Sequence, residues 1–197
     1  MHGTDPSGPV TARLIYVMGP SGAGKDTLLA WLRDHLPTAS GVHFARRTIT
    51  RATLPGDEQH HSVDVSSFLQ LRQAGAFGLD WQANGLHYGI AHSQLTGHPA
   101  GDSVVVNGSR AYLALALEHF PDMTVVHVTA RLDLLRCRLV GRGREDLAAV
   151  EARVARVTAF RLPAGATSVE ICNDGSVEEA GGELLCAVQR WTHPRRA

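Results

Sequence analysis

The sequence has no excess of either charge, since 19 lysines and arginines balance 19 aspartates and glutamates over 197 residues. Without a net field, a general nucleic-acid or membrane-surface binder is not expected. No apolar run approaches the ~20 residues that span a bilayer, and no hydrophobic secretory segment follows the start. A soluble, cytoplasmic chain is therefore expected. Cysteine is scarce: Cys137, Cys172 and Cys186 show neither disulfide-framework nor metal-ligand spacing, and their odd number suits a reducing compartment. Internal repeats and low-complexity tracts are also missing, and nothing sets an oligomeric state. Histidine is plentiful, but the adjacent pair His60-His61 has no Cys or HExxH partner. A histidine beside an anionic substrate is the better reading than zinc.

What the chain does contain is concentrated between Arg13 and Leu36. Leu14 to Met18 is a short apolar run of strand formers. Gly19-Pro20-Ser21-Gly22-Ala23-Gly24-Lys25 follows, and then Leu28, Leu29, Leu32 and Leu36 recur at helical spacing until Pro37 stops the helix. Strand, glycine-rich turn and helix in this order form a P-loop, the phosphate cradle of ATP- and GTP-using enzymes. The glycines let backbone N–H groups turn inward around a phosphate chain, the helix N-terminus adds partial positive charge, and Lys25 adds a full one. A Walker A motif has Ser or Thr after the lysine to contact Mg²⁺; here Asp26 stands there, followed by Thr27. A carboxylate is a hard oxygen ligand, so Asp26 is read as a metal ligand, with a plain helix N-terminal acid as the alternative.

Further along, Val42 to Ala45 reads as a strand leading into Arg46-Arg47-Thr48-Ile49-Thr50-Arg51. Three arginines in six residues are either a solvated face or an anion site; their place after the first strand–helix unit favours the anion site. Leu54 to Glu58 is turn-like. A short helix around Phe68 has Ser66 or Ser67 as its expected cap. Phe77 to Trp81 and Leu86 to Ile90 flank Asn84-Gly85, a favoured hairpin pair. Core strands are expected at Val104 to Val106, Thr124 to Val128 and Ser168 to Cys172, each leading into a helix. Arginines crowd the region of Arg131, Arg136, Arg138, Arg142 and Arg144, and Arg153 and Arg156 follow on a second helical run. The expected fold is an α/β P-loop NTPase: a mostly parallel sheet with helices on both faces, a small substrate lobe at about residues 44–92 and an Arg-rich lid at about 138–153. Residues 1–12 are read as a tail and 13–193 as one domain.

With these motifs in order, the chain resembles the guanylate kinase superfamily. The shared features are GPSGAGK, Thr50-Arg51, Gly75-Ala76-Phe77 to Trp81, Gly85 to Gly89 with Tyr88, Arg138-Leu139 to Arg142-Gly143, Arg153 and Asn173-Asp174. The resemblance implies that Arg51 and Tyr88 hold the acceptor phosphate, that lid arginines embrace the ATP phosphates, and that Asn173 lies near adenine. There are departures. Leu54 stands where a second acceptor arginine is expected, His60 where a phosphate-binding tyrosine is, and Asn107 where a strand-end aspartate is. Asp80 occupies the place of a guanine-reading glutamate, which keeps GMP open as an acceptor.

Within the superfamily, GPSGAGKD, ARRxITR, DWQANGLHYGI and VVVNGSR together resemble the ribose 1,5-bisphosphate phosphokinases of phosphonate catabolism. That resemblance implies ATP and Mg²⁺ as cofactors and a phosphorylated sugar as the small-molecule substrate. Its expected catalytic groups are Lys25, Arg142 and Arg153, with Arg47, Arg51, His60, Asp80, Tyr88, Asn107 and Arg110 around the acceptor. Two other readings are weaker. A non-catalytic protein-binding module can dispense with the cradle that this chain keeps, and a GTPase switch would need NKxD and DxxG motifs.

Overall fold

The computed structural model describes residues 12–52, 60–141, 146–158 and 160–192. The expected tail to residue 11, the turn at Leu54 to Glu58, and Arg142 with Arg144 lie outside these described residues. Ala12, placed in the tail by sequence, is instead buried against the core.

Five strands form the main sheet: β1 (Arg13–Met18), β2 (Val42–Phe44), β7 (Ser103–Asn107), β8 (Thr124–Thr129) and β9 (Ser168–Cys172). Their spatial order is β2-β7-β1-β8-β9, and every neighbouring pair is parallel. β1 sits at the centre because it is apolar on both sides, as a strand covered on two faces must be. Its alternate residues serve two cores. Ile15 and Val17 meet α1 (Lys25–His35) and α7 (Val177–Thr192) through Leu28, Leu32, Leu184 and Val188. Leu14, Tyr16 and Met18 meet α4 (Leu113–His119) on the opposite face.

The segment between β2 and β7 builds a second sheet from β3 (Arg47–Ile49), β4 (His60–Ser62), β5 (Phe77–Ala83) and β6 (Leu86–Ala91), in the order β4-β3-β6-β5. This is the expected substrate lobe, with α2 (Val65–Gln73) and α3 (His92–Leu95) added. The β5–β6 turn is the one read from Asn84-Gly85: φ is 51° and 74° there, the left-handed pair that a two-residue hairpin requires. The cap of α2 differs from the expectation. Asp64, not Ser66 or Ser67, is the N-cap, and its carboxylate accepts from the Ser67 N–H at 2.8 Å and from both serine hydroxyls. An ionised acceptor satisfies the open helix end better than a hydroxyl, and it recruits the two serines as donors. These bonds hold the Asp64 carboxyl well below its ordinary range.

The remaining helices are α5 (Leu132–Gly141) and α6 (Leu147–Thr158), the region expected as the lid. A 3₁₀ turn, Arg110–Tyr112, joins β7 to α4. Its approach is locked by Tyr16. The buried Tyr16 hydroxyl donates to the Ser109 carbonyl and accepts from the Ser109 N–H, both at 2.9 Å. Gly108 makes this possible, since a Cβ there would overlap the Tyr16 ring.

Burial pushes the Tyr16 phenol above its ordinary value of 10.0. The folded state therefore keeps a proton that the unfolded chain releases near pH 10, so stability is complete below that pH and falls as pH rises beyond it. The expected slope from this one proton is about 1.4 kcal/mol per pH unit. Denaturant titrations at increasing pH should show Tyr16→Phe losing stability less steeply above pH ~10 than the native chain.

Candidate active site

β1 delivers the chain to Gly19, and the loop closes into α1 through Gly24 at φ 85°, a left-handed cap. No side chain caps this helix start, so its first N–H groups stay available to an anion. The loop is braced from the β9 side. Asn173, buried just after β9, donates its Nδ2 to the Ala23 carbonyl at 2.8 Å. Arg138 on α5 donates to the Asn173 carbonyl at 3.1 Å, and Arg131 N–H donates to Asp174 at 2.7 Å. Asn173, expected near adenine, thus acts first as the brace of the phosphate loop.

Lys25, the one lysine in the sequence, donates Nζ to the Gly19 and Pro20 carbonyls, each at 3.0 Å. Arg153 on α6 reaches over to donate to Ser21 Oγ at 2.9 Å. Asp26 opens α1 beside them. Its carboxylate accepts from Asn107 Nδ2 at 2.5 Å and from Arg47 at 3.3 Å. Thr27, expected to join the nucleotide contacts, is exposed one residue on.

These groups line one open cavity of about 670 Å³ between the P-loop, the end of β7, the β5–β6 hairpin and α6. Of the residues expected from sequence, Gly19, Ser21, Lys25, Asp26, Arg47, Tyr88, Asn107, Arg110 and Arg153 face it together. Pro20, Gly22, Ala23 and Gly24 shape the loop beneath. Tyr88 stacks face to face on Trp81 across β5 and β6, with ring centroids 5.5 Å apart, and the Arg47 guanidinium lies 5.9 Å over the Tyr88 ring.

Three expected acceptor residues fall elsewhere. Arg51 lies past the end of β3 and is not part of the cavity wall, whereas Arg47 within the same basic run is. His60 is buried on β4 opposite Arg47 in the strand register. Asp80 is held by Arg72 of α2 at 2.8 Å, which commits its carboxylate to the lobe's own structure. In turn, Trp81, Gln82, Asn84, Ser109, Arg156 and Phe160 line the cavity without having been expected as site residues. Arg156 was legible in principle, because it stands one helical turn beyond Arg153 on the same face.

Electrostatically the cavity is strongly cationic. Among the described residues that line it, Asp26 is the only carboxylate, against Lys25, Arg47, Arg110, Arg153 and Arg156. His127 on β8 sits behind this charge, and burial, aided by Arg110 and Lys25, lowers its pKa and favours the neutral ring. Such a site suits a ligand carrying several phosphates, and among the described lining residues no group other than Asp26 is placed to act as a carboxylate base.

The parallel sheet, P-loop and inserted lobe define a kinase-type P-loop protein of guanylate kinase-like fold. Guanylate kinase from Anaplasma phagocytophilum superposes with a TM-score of 0.64 at 16% identity, over 90% of this chain and 85% of that one. No protein-family model matches the sequence. Similarity to curated proteins is much stronger. The ribose 1,5-bisphosphate phosphokinase PhnN of Burkholderia pseudomallei is 42% identical over 177 residues, covering 90% of this chain and 95% of the relative. That of Pseudomonas fluorescens is 42% identical over 183 residues, covering 91% and 96%. The Janthinobacterium relative is longer; at 42% identity the chain spans 39% of its length. The chain belongs to the PhnN ribose 1,5-bisphosphate phosphokinase family.

Removing the loop brace should be costly. Asn173→Ala leaves the Ala23 carbonyl without its donor in a buried setting, so thermal or urea unfolding should register a loss of about 1–3 kcal/mol. Nucleotide affinity should fall with it, measured by titration of a fluorescent ATP analogue.

Proposed function

We propose that the protein transfers the γ-phosphoryl group of ATP to ribose 1,5-bisphosphate, giving 5-phosphoribosyl 1-diphosphate and ADP, as a cytoplasmic enzyme of phosphonate catabolism. The observation that carries this reading is a phosphate loop opening into a cavity whose described lining has five cations and one carboxylate. An oxygen of the acceptor's 1-phosphate attacks the γ-phosphorus, a new P–O bond forms, and the bond to the β–γ bridging oxygen breaks. That acceptor oxygen is already ionised at neutral pH, so the reaction needs alignment and charge stabilisation rather than a strong base.

The chain's own residues divide this work. The loop N–H groups and Lys25 take the nucleotide phosphates, and Arg153, already beside Ser21, adds charge over them. Arg142 is proposed as its companion from the resemblance alone. Arg47 and Tyr88 present the reacting acceptor phosphate, next to Asp26 and hence to Lys25. GMP fits less well, because the carboxylate at the guanine-reading place, Asp80, is committed to Arg72.

The site also fits Mg²⁺. Asp26 stands at the cavity mouth, and Asn107 Oδ1 is buried without a partner among the described residues. Asp26 and Asn107 would hold the ion, which when bound to ATP neutralises and orients the phosphate oxygens. Where a hydroxyl usually follows the lysine, a carboxylate stands in the first turn of α1, and β7 ends in an amide where the resemblance expects an aspartate. One carboxylate is kept in either arrangement.

Coupled ADP release with Mg-ATP should show turnover with ribose 1,5-bisphosphate and none with GMP, and ³¹P NMR should identify a diphosphate product. Lys25→Ala should lower turnover by ~10²–10³, and Mg-ATP should protect the single lysine from amine-directed reagents. Turnover of GMP alone would overturn the assignment.

The carboxylate exchange makes a separate prediction. Asp26→Thr should weaken Mn²⁺ binding in the presence of ATP, read by electron paramagnetic resonance, and lower turnover by about 10²-fold. Adding Asn107→Asp to that variant should restore Mn²⁺ binding and at least a tenth of native turnover, while Asn107→Asp alone should not improve either.

A further inference from the structure

Among the described residues, two of the five cations that line the cavity have no committed acidic partner. Lys25 is turned onto loop carbonyls, Arg153 onto Ser21, and Arg47 onto Asp26. Arg110 and Arg156 differ. Among the described residues neither forms an ion pair, and Arg156 donates only to the Ala152 carbonyl of its own helix, at 3.3 Å. Arg110 is half-buried, and its Nη1 is buried with no hydrogen-bond partner. Its guanidinium lies 5.4 Å over the Phe160 ring, and the same ring meets His127 edge-on at 5.3 Å.

This corner is therefore an arginine against an aromatic wall, a histidine that burial disposes to neutrality, and a second arginine. Burial first, then the Arg156 charge, lowers the Arg110 pKa, so the folded protein holds the pair together against both costs. Leaving a buried guanidinium N–H unpaired is unfavourable, and the natural repayment is a dianion with several acceptor oxygens.

We propose that Arg110 and Arg156 form a second phosphate subsite, which holds the non-reacting phosphate of the acceptor and selects a sugar bisphosphate over a sugar monophosphate. This rests on the proposed function and deepens it. A sugar bisphosphate brings two phosphates of about −1.5 to −2 charge each. The reacting one must lie near Asp26 and Lys25, where Arg47 and Tyr88 are. The other requires a cationic station in the same cavity but off that line, and Arg110 with Arg156 is the pair whose charge no described carboxylate absorbs.

The test compares ribose 1,5-bisphosphate with ribose 1-phosphate as acceptors for the native chain, Arg156→Gln and Arg156→Lys. Arg156 is exposed on α6, so the fold should tolerate both changes; thermal denaturation checks this. For Arg156→Gln, KM for the bisphosphate should rise about 10- to 100-fold, with KM for ATP moving less than threefold. The loss in kcat/KM with the bisphosphate should exceed the loss with ribose 1-phosphate at least tenfold, and Arg156→Lys should recover part of it. Calorimetric titration of ribose 1,5-bisphosphate without nucleotide should show the same weakening.

Equal losses with both acceptors would place the reacting phosphate at this pair and overturn the proposal. A fall in ATP affinity with acceptor binding intact would assign the pair to the nucleotide and overturn it too, as would no change. If the native chain fails to use ribose 1,5-bisphosphate at all, the functional reading falls and the subsite falls with it. That outcome is visible before any variant is made.

Discussion

Lys25, Arg47, Arg110, Arg153 and Arg156 share one cavity with a single carboxylate among its described lining residues, and their mutual repulsion is the constraint under which the surrounding structure is built. Four of these cations are steadied by different devices. Backbone carbonyls take Lys25, a hydroxyl takes Arg153, Asp26 takes Arg47, and an aromatic face takes Arg110. Apart from Asp26, these partners are neutral, and they hold a cation in place without cancelling it. A carboxylate for every arginine would have made a comfortable surface network and a poor phosphate site. The charge is left for a ligand to neutralise, and the ligand's binding energy then aligns two anions that would otherwise repel.

Rigidity of the frame follows from the same need. The phosphate loop is tied to β9 through Asn173, and the segment after β7 is tied to β1 through Tyr16. The Asn173 tie is buried and the Tyr16 tie partly so, and each holds a loop to a strand that is distant in the chain. β1 therefore positions the donor cradle directly and one acceptor wall through a single phenol. The lobe packs its Leu79, Trp81 and Ile90 onto the same core as Tyr16, which keeps the Tyr88 wall in register with the loop.

The preference for arginine is also physical. With one lysine in the chain, every other side-chain cation of the cavity is a guanidinium. A planar fork can stack on Phe160 or Tyr88 and still offer N–H groups to phosphate oxygens, which an ammonium cannot do as well. Lys25 sits where a compact point charge is needed, at the root of the loop.

Local patterns in the sequence were sufficient for elements whose information is local. The apolar run of β1, the glycine loop, the helix stopped by Pro37 and the Asn84-Gly85 turn each depend on residues a few positions apart, and each appears where it was expected. The family resemblance likewise rests on short contiguous motifs. The inner geometry of the site does not. Arg47 rather than Arg51 faces the cavity because β3 is only three residues long and pairs with β6, a contact spanning some forty positions. Asp80 is spent on Arg72, a partner that α2 brings beside β5, whereas the Asp64 cap is a local contact with Ser67, three residues on. Arg110 and Arg156 stand 46 positions apart, and only the closing of α6 over the end of β7 brings them to one wall. The sequence alone thus determined the fold class and the phosphate chemistry, which are set by backbone conformation and periodicity. Which cations confront the acceptor was decided by tertiary packing, because side-chain direction and ion pairing depend on neighbours that are distant in the chain.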